Sequence, residues 1–188
     1  MDTWEVSDIT TNARGVRSAS ILYNGEPPRK RFGSTTTPLC TPFGVSSFEE
    51  STRMNLDFQL TKDLRGFLQQ LDEWARKTLL KQSARFFKRQ ISKEELAQMY
   101  QSCVRKHERN GTKFEDTVRV KFTKSKLKHW GFNHDPVNPP KDYRECELVG
   151  LVQVKQFVFS SNQVFLVLEI SDLMVKENLR ECPPEFMD

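Results

Sequence analysis

Residues 147–175 read ELVGLVQVKQFVFSSNQVFLVLEISDLMV, and this stretch decides the fold class. Two runs rich in Val, Phe, Leu and Ile lie on either side of the polar turn Ser160-Ser161-Asn162. The pattern predicts two long strands joined by a short turn. The apolar run VFLVL is far shorter than the roughly 20 residues that a membrane-spanning helix needs. We therefore expect a β-rich, soluble protein with no membrane segment.

The two faces of this predicted hairpin differ in character, because side chains alternate along a strand. One face is aliphatic and the other mixes rings with charged groups. Val152, Val154 and Val158 alternate with Gln153, Lys155, Phe157 and Phe159, and Val164, Leu166, Leu168 and Ile170 alternate with Phe165, Val167 and Glu169. The rings fit two interpretations, a core beneath helices or a platform on which nucleic-acid bases stack.

The segments before this hairpin predict further strands that flank a helical insertion. Alternation predicts a hairpin over 17–32 with Asn24-Gly25 at its turn, a strand over 53–60 and another over 117–123. Between them, an apolar stripe with helical spacing begins near Leu64. A second helix begins at the capping box of Ser92 and Glu95, and we expect Asn110-Gly111 to end it.

These elements predict a β-rich α+β fold, an OB-like antiparallel barrel or bent sheet with a two-helix insertion over about 62–109. Most strands adjacent in sequence are expected to be antiparallel. We expect a flexible N-terminus over 1–13, one domain over 14–175, and a short C-terminal tail over 176–188.

Composition adds few constraints on function. The 188-residue chain has a net charge of +4, and its four cysteines show no paired spacing. The start of the chain lacks the pattern of a secretory signal, so an intracellular location is expected. A nucleus or a viral replication site is compatible with this.

Positive charge is concentrated in one part of the chain. Residues 105–130 contain nine Lys and Arg against three Asp and Glu, an excess larger than that of the whole protein. Within it, KSKLKHWGF at 124–132 interleaves lysines with rings, a pattern that suits phosphates and bases. A solvated, lysine-rich loop is the simpler alternative.

No catalytic motif is evident. The three histidines lack metal-ligand spacing, so we expect no metal, no cofactor and no enzymatic activity. A two-metal nuclease that recruits carboxylates is the enzymatic alternative. Its candidate ligands are Asp135, Asp142, Glu145 and Glu147.

The order of these elements resembles that of the OB-fold single-stranded-DNA-binding proteins of phages and large DNA viruses. The sequence is also similar to related predicted proteins in some unicellular eukaryotes. The likeness spans about 14–175 and rests on PFGVSSF, STRMNLDFQL, a helix containing LDEW, the basic strand and loop, and the final hairpin. The resemblance implies a barrel whose concave face binds single strands without sequence preference and assists replication, recombination or annealing. It also implies a C-terminal tail that recruits replication proteins, for which this chain offers only ENLRECPPEFMD.

The predicted function is therefore non-catalytic binding of single-stranded DNA, with an RNA-binding coat protein and a virion or scaffold protein as alternatives. A homodimer is compatible with the sequence. The candidate nucleic-acid-binding residues are Arg29, Lys30, Arg31, Arg119, Lys121, Lys124, Lys126, Lys128, His129, Trp130, Phe132, Lys155, Phe157 and Phe159.

Overall fold

The computed structural model describes Met1, residues 3–47 and residues 52–177. These residues form a β-rich α+β fold, as predicted. The strands are β1 (Glu5–Val6), β2 (Thr10–Thr11), β3 (Arg17–Leu22), β4 (Arg29–Phe32), β5 (Val45–Ser47), β6 (Arg53–Gln59), β7 (Tyr100–Gln101), β8 (Val104–Arg109), β9 (Thr112–Thr123), β10 (Lys128–Gly131), β11 (Cys146–Phe159) and β12 (Val164–Glu177). The helices are α1 (Lys62–Lys81), α2 (Ser83–Phe87) and α3 (Lys93–Met99), and a short 3-10 turn spans Tyr143–Glu145.

The strands β11 and β12 form the centre of the sheet and pair with each other in antiparallel orientation along their whole length. On its other edge, β12 pairs in parallel with β7, β9 and β10 in succession. The other edge of β11 pairs with β4 and then with β3. The sheet continues from β9 to β6 and β5, and within the described ranges nothing pairs β1 with β5. The sheet is therefore open and mixed.

The helices cover one face of this sheet and bury the core against it. The predicted stripe on α1 is confirmed, since Leu64, Leu68, Leu71 and Leu79 are buried. Burying each such side chain contributes about 1.5–3 kcal/mol. Trp74 of α1 stacks on Phe157 of β11 with ring centroids 5.9 Å apart.

The predicted end of the second helix is wrong. The capping box is confirmed, because the Ser92 hydroxyl accepts a hydrogen bond from the Glu95 amide, but α3 ends at Met99. Residues 104–109 instead form β8, which pairs with β9 across a turn at Asn110-Gly111. Both turn residues have positive φ, 52° and 77°. The Asn-Gly sequence favours this two-residue hairpin turn. The predicted two-helix insertion therefore contains three helices followed by strands.

The predicted hairpin over 17–32 is confirmed only at its turn. Tyr23 and Glu26 bridge across Asn24-Gly25. Pro27 and Pro28 follow, and proline offers no amide hydrogen for a sheet ladder. The arms β3 and β4 pair with β11 instead of with each other.

The predicted alternation along β11 is wrong beyond Val154. Pairing with β12 passes from Val154 directly to Gln156, so Lys155 is an extra residue in a β-bulge. The bulge changes which side chains face the helices. Phe157 and Phe159 consequently join Val152 and Val154 in the core, while Lys155 lies on the opposite face.

The sheet bends so that β6 approaches β11. Phe58 of β6 lies against Gly150, where an added Cβ would be 3.5 Å from the ring and 2.8 Å from Ile170. Phe32 of β4 also contacts Phe58, with ring centroids 6.4 Å apart. A side chain at residue 150 would be in van der Waals contact with Phe58, and the end of the Ile170 side chain would have to move away from it.

The N-terminal residues contain the short strands β1 and β2, which pair with β3. Trp4 packs edge-on against Trp74, with ring centroids 5.2 Å apart. The predicted tail over 176–188 falls outside the described residues after residue 177. No helix in the described part of the chain is long and apolar enough to cross a bilayer.

Candidate functional site

The face of the sheet opposite the helices carries a groove that is rich in cations. Two adjoining cavities, of about 350 and about 950 Å³, share Arg53, Lys121, Phe165 and Val167 and form this groove. We call it the basic groove. Its basic lining residues are Arg14, Arg17, Arg53, Arg105, Arg119, Lys121 and Lys155, and Glu169 is its acidic lining residue.

Strand β9 supplies the central cations because its alternation separates core from groove. Val118, Val120 and Phe122 are buried, while Arg119 and Lys121 face the groove. The period of two along the predicted strand accounts for this separation.

The Arg119 side chain is oriented by a buried carboxylate. Its Nε and Nη2 donate hydrogen bonds of 2.8 and 2.7 Å to the two carboxylate oxygens of Asp57 on β6. Asp57 is 4% exposed. Two parallel bonds fix the plane of the guanidinium, so Arg119 meets a ligand in one orientation.

Lys121 and Arg105 lie where positive charge exceeds negative charge, with Glu169 near Lys121 and Asp57 near Arg105 as the opposing carboxylates. Burial lowers the pKa of Lys121, and the neighbouring Arg53, Arg105 and Arg119 lower it further. The pKa of Arg105 is lowered by burial and by Arg119. An anion in the groove would remove this repulsion.

The central ring of the groove is Phe165 of β12. The Lys121 ammonium lies over it, 5.6 Å from the ring centroid. Phe165 is half-buried and lines both cavities, whereas the adjacent Val164 belongs to the core. A flat ring beside a cation can receive a nucleobase beside its phosphate.

The other half of the groove contains Lys155 and Arg17, each with a partner. The Lys155 ammonium donates a 2.5 Å hydrogen bond to Glu169 across the β11–β12 pair. Arg17 donates a 2.8 Å bond to the Phe86 carbonyl and lies 5.7 Å from the Phe159 ring centroid. Lys155 faces the groove by ordinary alternation after the core residue Val154, and the bulge places the next residue, Gln156, on the same face.

The KHWG segment forms β10 and extends the same face along β12. Lys128 lies opposite Asp172 and Trp130 opposite Met174, and the Trp130 indole nitrogen donates a 3.1 Å bond to Asp172. Lys121 pairs with Glu169, five residues earlier on β12. Ser171 is an extra residue in a bulge between these two points, and only four residues of β11 separate their partners, Gln153 and Val149. Trp130 is thus about 14 Å further along the strand at the usual rise per residue.

No family model matches this chain, and no curated protein shows significant sequence similarity to it. The resemblance to viral single-stranded-DNA-binding proteins therefore stays a prediction.

Several predicted site residues lie together on the groove face. Arg119, Lys121 and Lys155 line the basic groove, and Lys128 and Trp130 follow it along β12. Lys124 and Lys126 are exposed in the turn that joins β9 to β10.

Other predicted site residues lie elsewhere. Phe157 is 0% exposed and packed against Phe86 of α2, so its predicted stacking on a base does not fit the structure. Phe159 is 5% exposed and also packs against Phe86, although it lines the larger cavity beside Arg17. His129 is buried and hydrogen-bonded to the Tyr143 hydroxyl at 2.8 Å, and its pKa is lowered by burial. Phe132 is half-buried and is not among the residues that line the groove.

The cluster of Arg29, Lys30 and Arg31 lies on β4, at the edge of the sheet. Arg29 and Arg31 pair with Gln153 and Leu151 of β11. The Lys30 ammonium lies 5.3 Å from the ring centroid of Phe67, beside a separate cavity of about 370 Å³ at the start of α1.

Sequence reasoning missed Arg14, Arg17, Arg53 and Arg105. Arg14 and Arg17 belong to the segment around the start of β3. No local sequence pattern predicts that β3 pairs with the end of β11. Arg105 was placed on a helix, and reading Asn110-Gly111 as a hairpin turn would have placed it on a strand.

Two of the carboxylates considered for a nuclease are paired with basic side chains. Asp142 binds Arg144, and Glu147 binds Lys176 at 3.1 Å. Among the described residues, no group of three or more His, Cys, Asp and Glu side chains could hold a metal ion.

Proposed function

We propose that this protein binds single-stranded DNA without catalysing a reaction, and that the basic groove holds the strand. The proposal is carried by one observation, the concentration of seven cations and the Phe165 ring in one groove on the face opposite the helices. We also propose that the bent sheet is OB-like, because β6 folds toward β11 over the core.

In this proposal the groove cations contact phosphates and the rings stack on bases. Arg119 presents a fixed guanidinium, while Lys121 contributes charge beside Phe165. Stacking is worth about 1–3 kcal/mol per base and tolerates any sequence. Such binding would protect or organise single strands during replication, recombination or annealing.

The test is a titration of a 30-nucleotide deoxythymidine oligonucleotide, followed by fluorescence anisotropy at several salt concentrations. Binding to a single strand should give a log-log salt slope of about −0.7 for each phosphate neutralised. Arg105→Gln with Lys121→Gln removes two groove cations and should flatten the slope by about 1.4. Duplex DNA and a matched RNA serve as competitors.

The matched control is Lys81→Gln with Lys93→Gln, which removes two exposed cations at the end of α1 and the start of α3. This variant should keep the wild-type slope. Equal slopes in all three proteins would show that the groove cations do not contact the phosphates. Tighter binding of the RNA would favour the RNA-binding alternative.

A further inference from the structure

The sheet has a gap beside the middle of β12. On one edge, β12 pairs with β7 at Val164 and Phe165 and next with β9 at Glu169. Between these points, no strand in the described ranges pairs with residues 166–168 on this edge. All three residues line the cavity of about 350 Å³, so the gap opens into the basic groove.

Two side-chain amides line this cavity without partners. Asn55 of β6 and Gln101 of β7 contribute to its wall, and neither side chain makes a hydrogen bond to another described residue. The neighbouring Ser102 differs, because its hydroxyl donates a 2.5 Å bond to Asp72. Each free amide offers donors beside an acceptor, the combination that pairs with the edge of a base.

The same cavity also has groups for the rest of a nucleotide. Arg105, Arg119 and Lys121 line it and can meet a phosphate, and the Phe165 ring lies at its border with the larger cavity. Its volume of about 350 Å³ falls in the range of small-molecule pockets. The amides therefore lie close to both the cations and the ring.

We propose that this gap is a base-reading subsite, in which one nucleobase of the bound strand enters edge-on and hydrogen-bonds to Asn55 and Gln101. The inference rests on the proposed function and changes one part of it, since the groove would prefer a particular base at one position. Adenine is the expected base, because side-chain amides form paired hydrogen bonds with its amino group and ring nitrogen.

The test uses four nine-nucleotide deoxythymidine oligonucleotides in which the central base is varied. Their Kd values are measured by anisotropy at low salt. Wild-type protein should bind the adenine oligonucleotide at least about fivefold more tightly than the weakest of the four. In Asn55→Ala with Gln101→Ala, the spread should fall below about twofold.

Gln156→Ala is the matched control, because Gln156 is an amide that lines the larger cavity and not the gap. It should keep the wild-type preference, and circular dichroism confirms that each variant is folded. Equal Kd values for all four oligonucleotides in wild type, or a preference that survives in the double variant, would overturn the subsite and leave the proposed function intact. Absence of binding to all four oligonucleotides would contradict both the subsite and the proposed function.

Discussion

The pKa of Lys121 reflects the burial of its side chain and the charges around it. Burial lowers the pKa of its ammonium below the ordinary value of 10.5, and the neighbouring Arg53, Arg105 and Arg119 lower it further against the opposing effect of Glu169. A phosphate beside it would stabilise the charged form. Binding would therefore take up a proton whenever the pH exceeds the lowered pKa.

We expect two opposite pH effects from Lys121. Affinity for a deoxycytidine oligonucleotide should fall as the pH rises through the lowered pKa. The free energy of unfolding of the protein without ligand should increase as the pH rises from the lowered pKa toward 10.5. In this interval Lys121 is more fully protonated in the unfolded chain than in the folded protein, and stability then rises with pH. Anisotropy and urea unfolding between pH 7 and pH 10.5 measure both.

Lys121→Arg is the control for this residue. An arginine keeps its charge throughout the interval, so the alkaline loss of affinity should disappear while binding at neutral pH persists. An identical pH profile in the variant would assign the effect to another group.

At the scale of elements, the bulge at Lys155 decides the roles of the rings on the final hairpin. Before the bulge, Val152 and Val154 face the core, and after it Phe157 and Phe159 do so. Phe165, on the partner strand, remains in the groove. A ring on β11 therefore stabilises the fold, and a ring on β12 is available for binding.

This assignment predicts different effects for two similar substitutions. Phe157→Ala should lower the free energy of unfolding by about 3–5 kcal/mol, because it leaves a cavity beneath Trp74. Phe165→Ala should cost about 1 kcal/mol or less in stability and weaken oligonucleotide binding about 5- to 150-fold. Urea unfolding and anisotropy separate the effects, and a Phe165 variant with wild-type affinity would contradict the assignment.

The elements also show what the sequence can predict. The stripe of α1 and the alternation of β9 were predictable, since each pattern is local and one face is uniformly apolar. The bulge was not, because one extra residue in a strand leaves no signature in composition. Asn110-Gly111 fits both a helix end and a hairpin turn, and pairing with β9 selects the second.

At the scale of the whole molecule, the groove and Trp130 occupy one continuous face but lie apart on it. A strand that fills only the cation cluster would not reach the indole, about 14 Å further along β12. The basic stretch at 105–130 is visible in the sequence and supplies Arg105, Arg119 and Lys121. The other four groove cations come from segments that only strand pairing brings together.

The length of the bound strand should therefore determine the effect of Trp130→Ala. We expect unchanged affinity for an oligonucleotide of about 4 nucleotides and a loss of about 5- to 150-fold for one of 30 nucleotides. Trp74→Phe, which alters a ring packed on Phe157, should change neither affinity. Equal losses at both lengths would place the indole within the site that binds the shorter strand.

The central position of β11 and β12 also constrains how the protein is made. The strands β3, β4, β7, β9 and β10 all pair with β11 or β12, which follow them in the chain. Phe32 of β4 pairs with Gly150, so 150 − 32 = 118 residues separate the partners. Ribosomes add about 5–20 residues per second, so β4 waits roughly 6–24 s for its partner during translation. Incorporation of β3 and β4 into the sheet is therefore delayed until β11 has left the ribosome, however early the helices form and β6, β8 and β9 pair with one another.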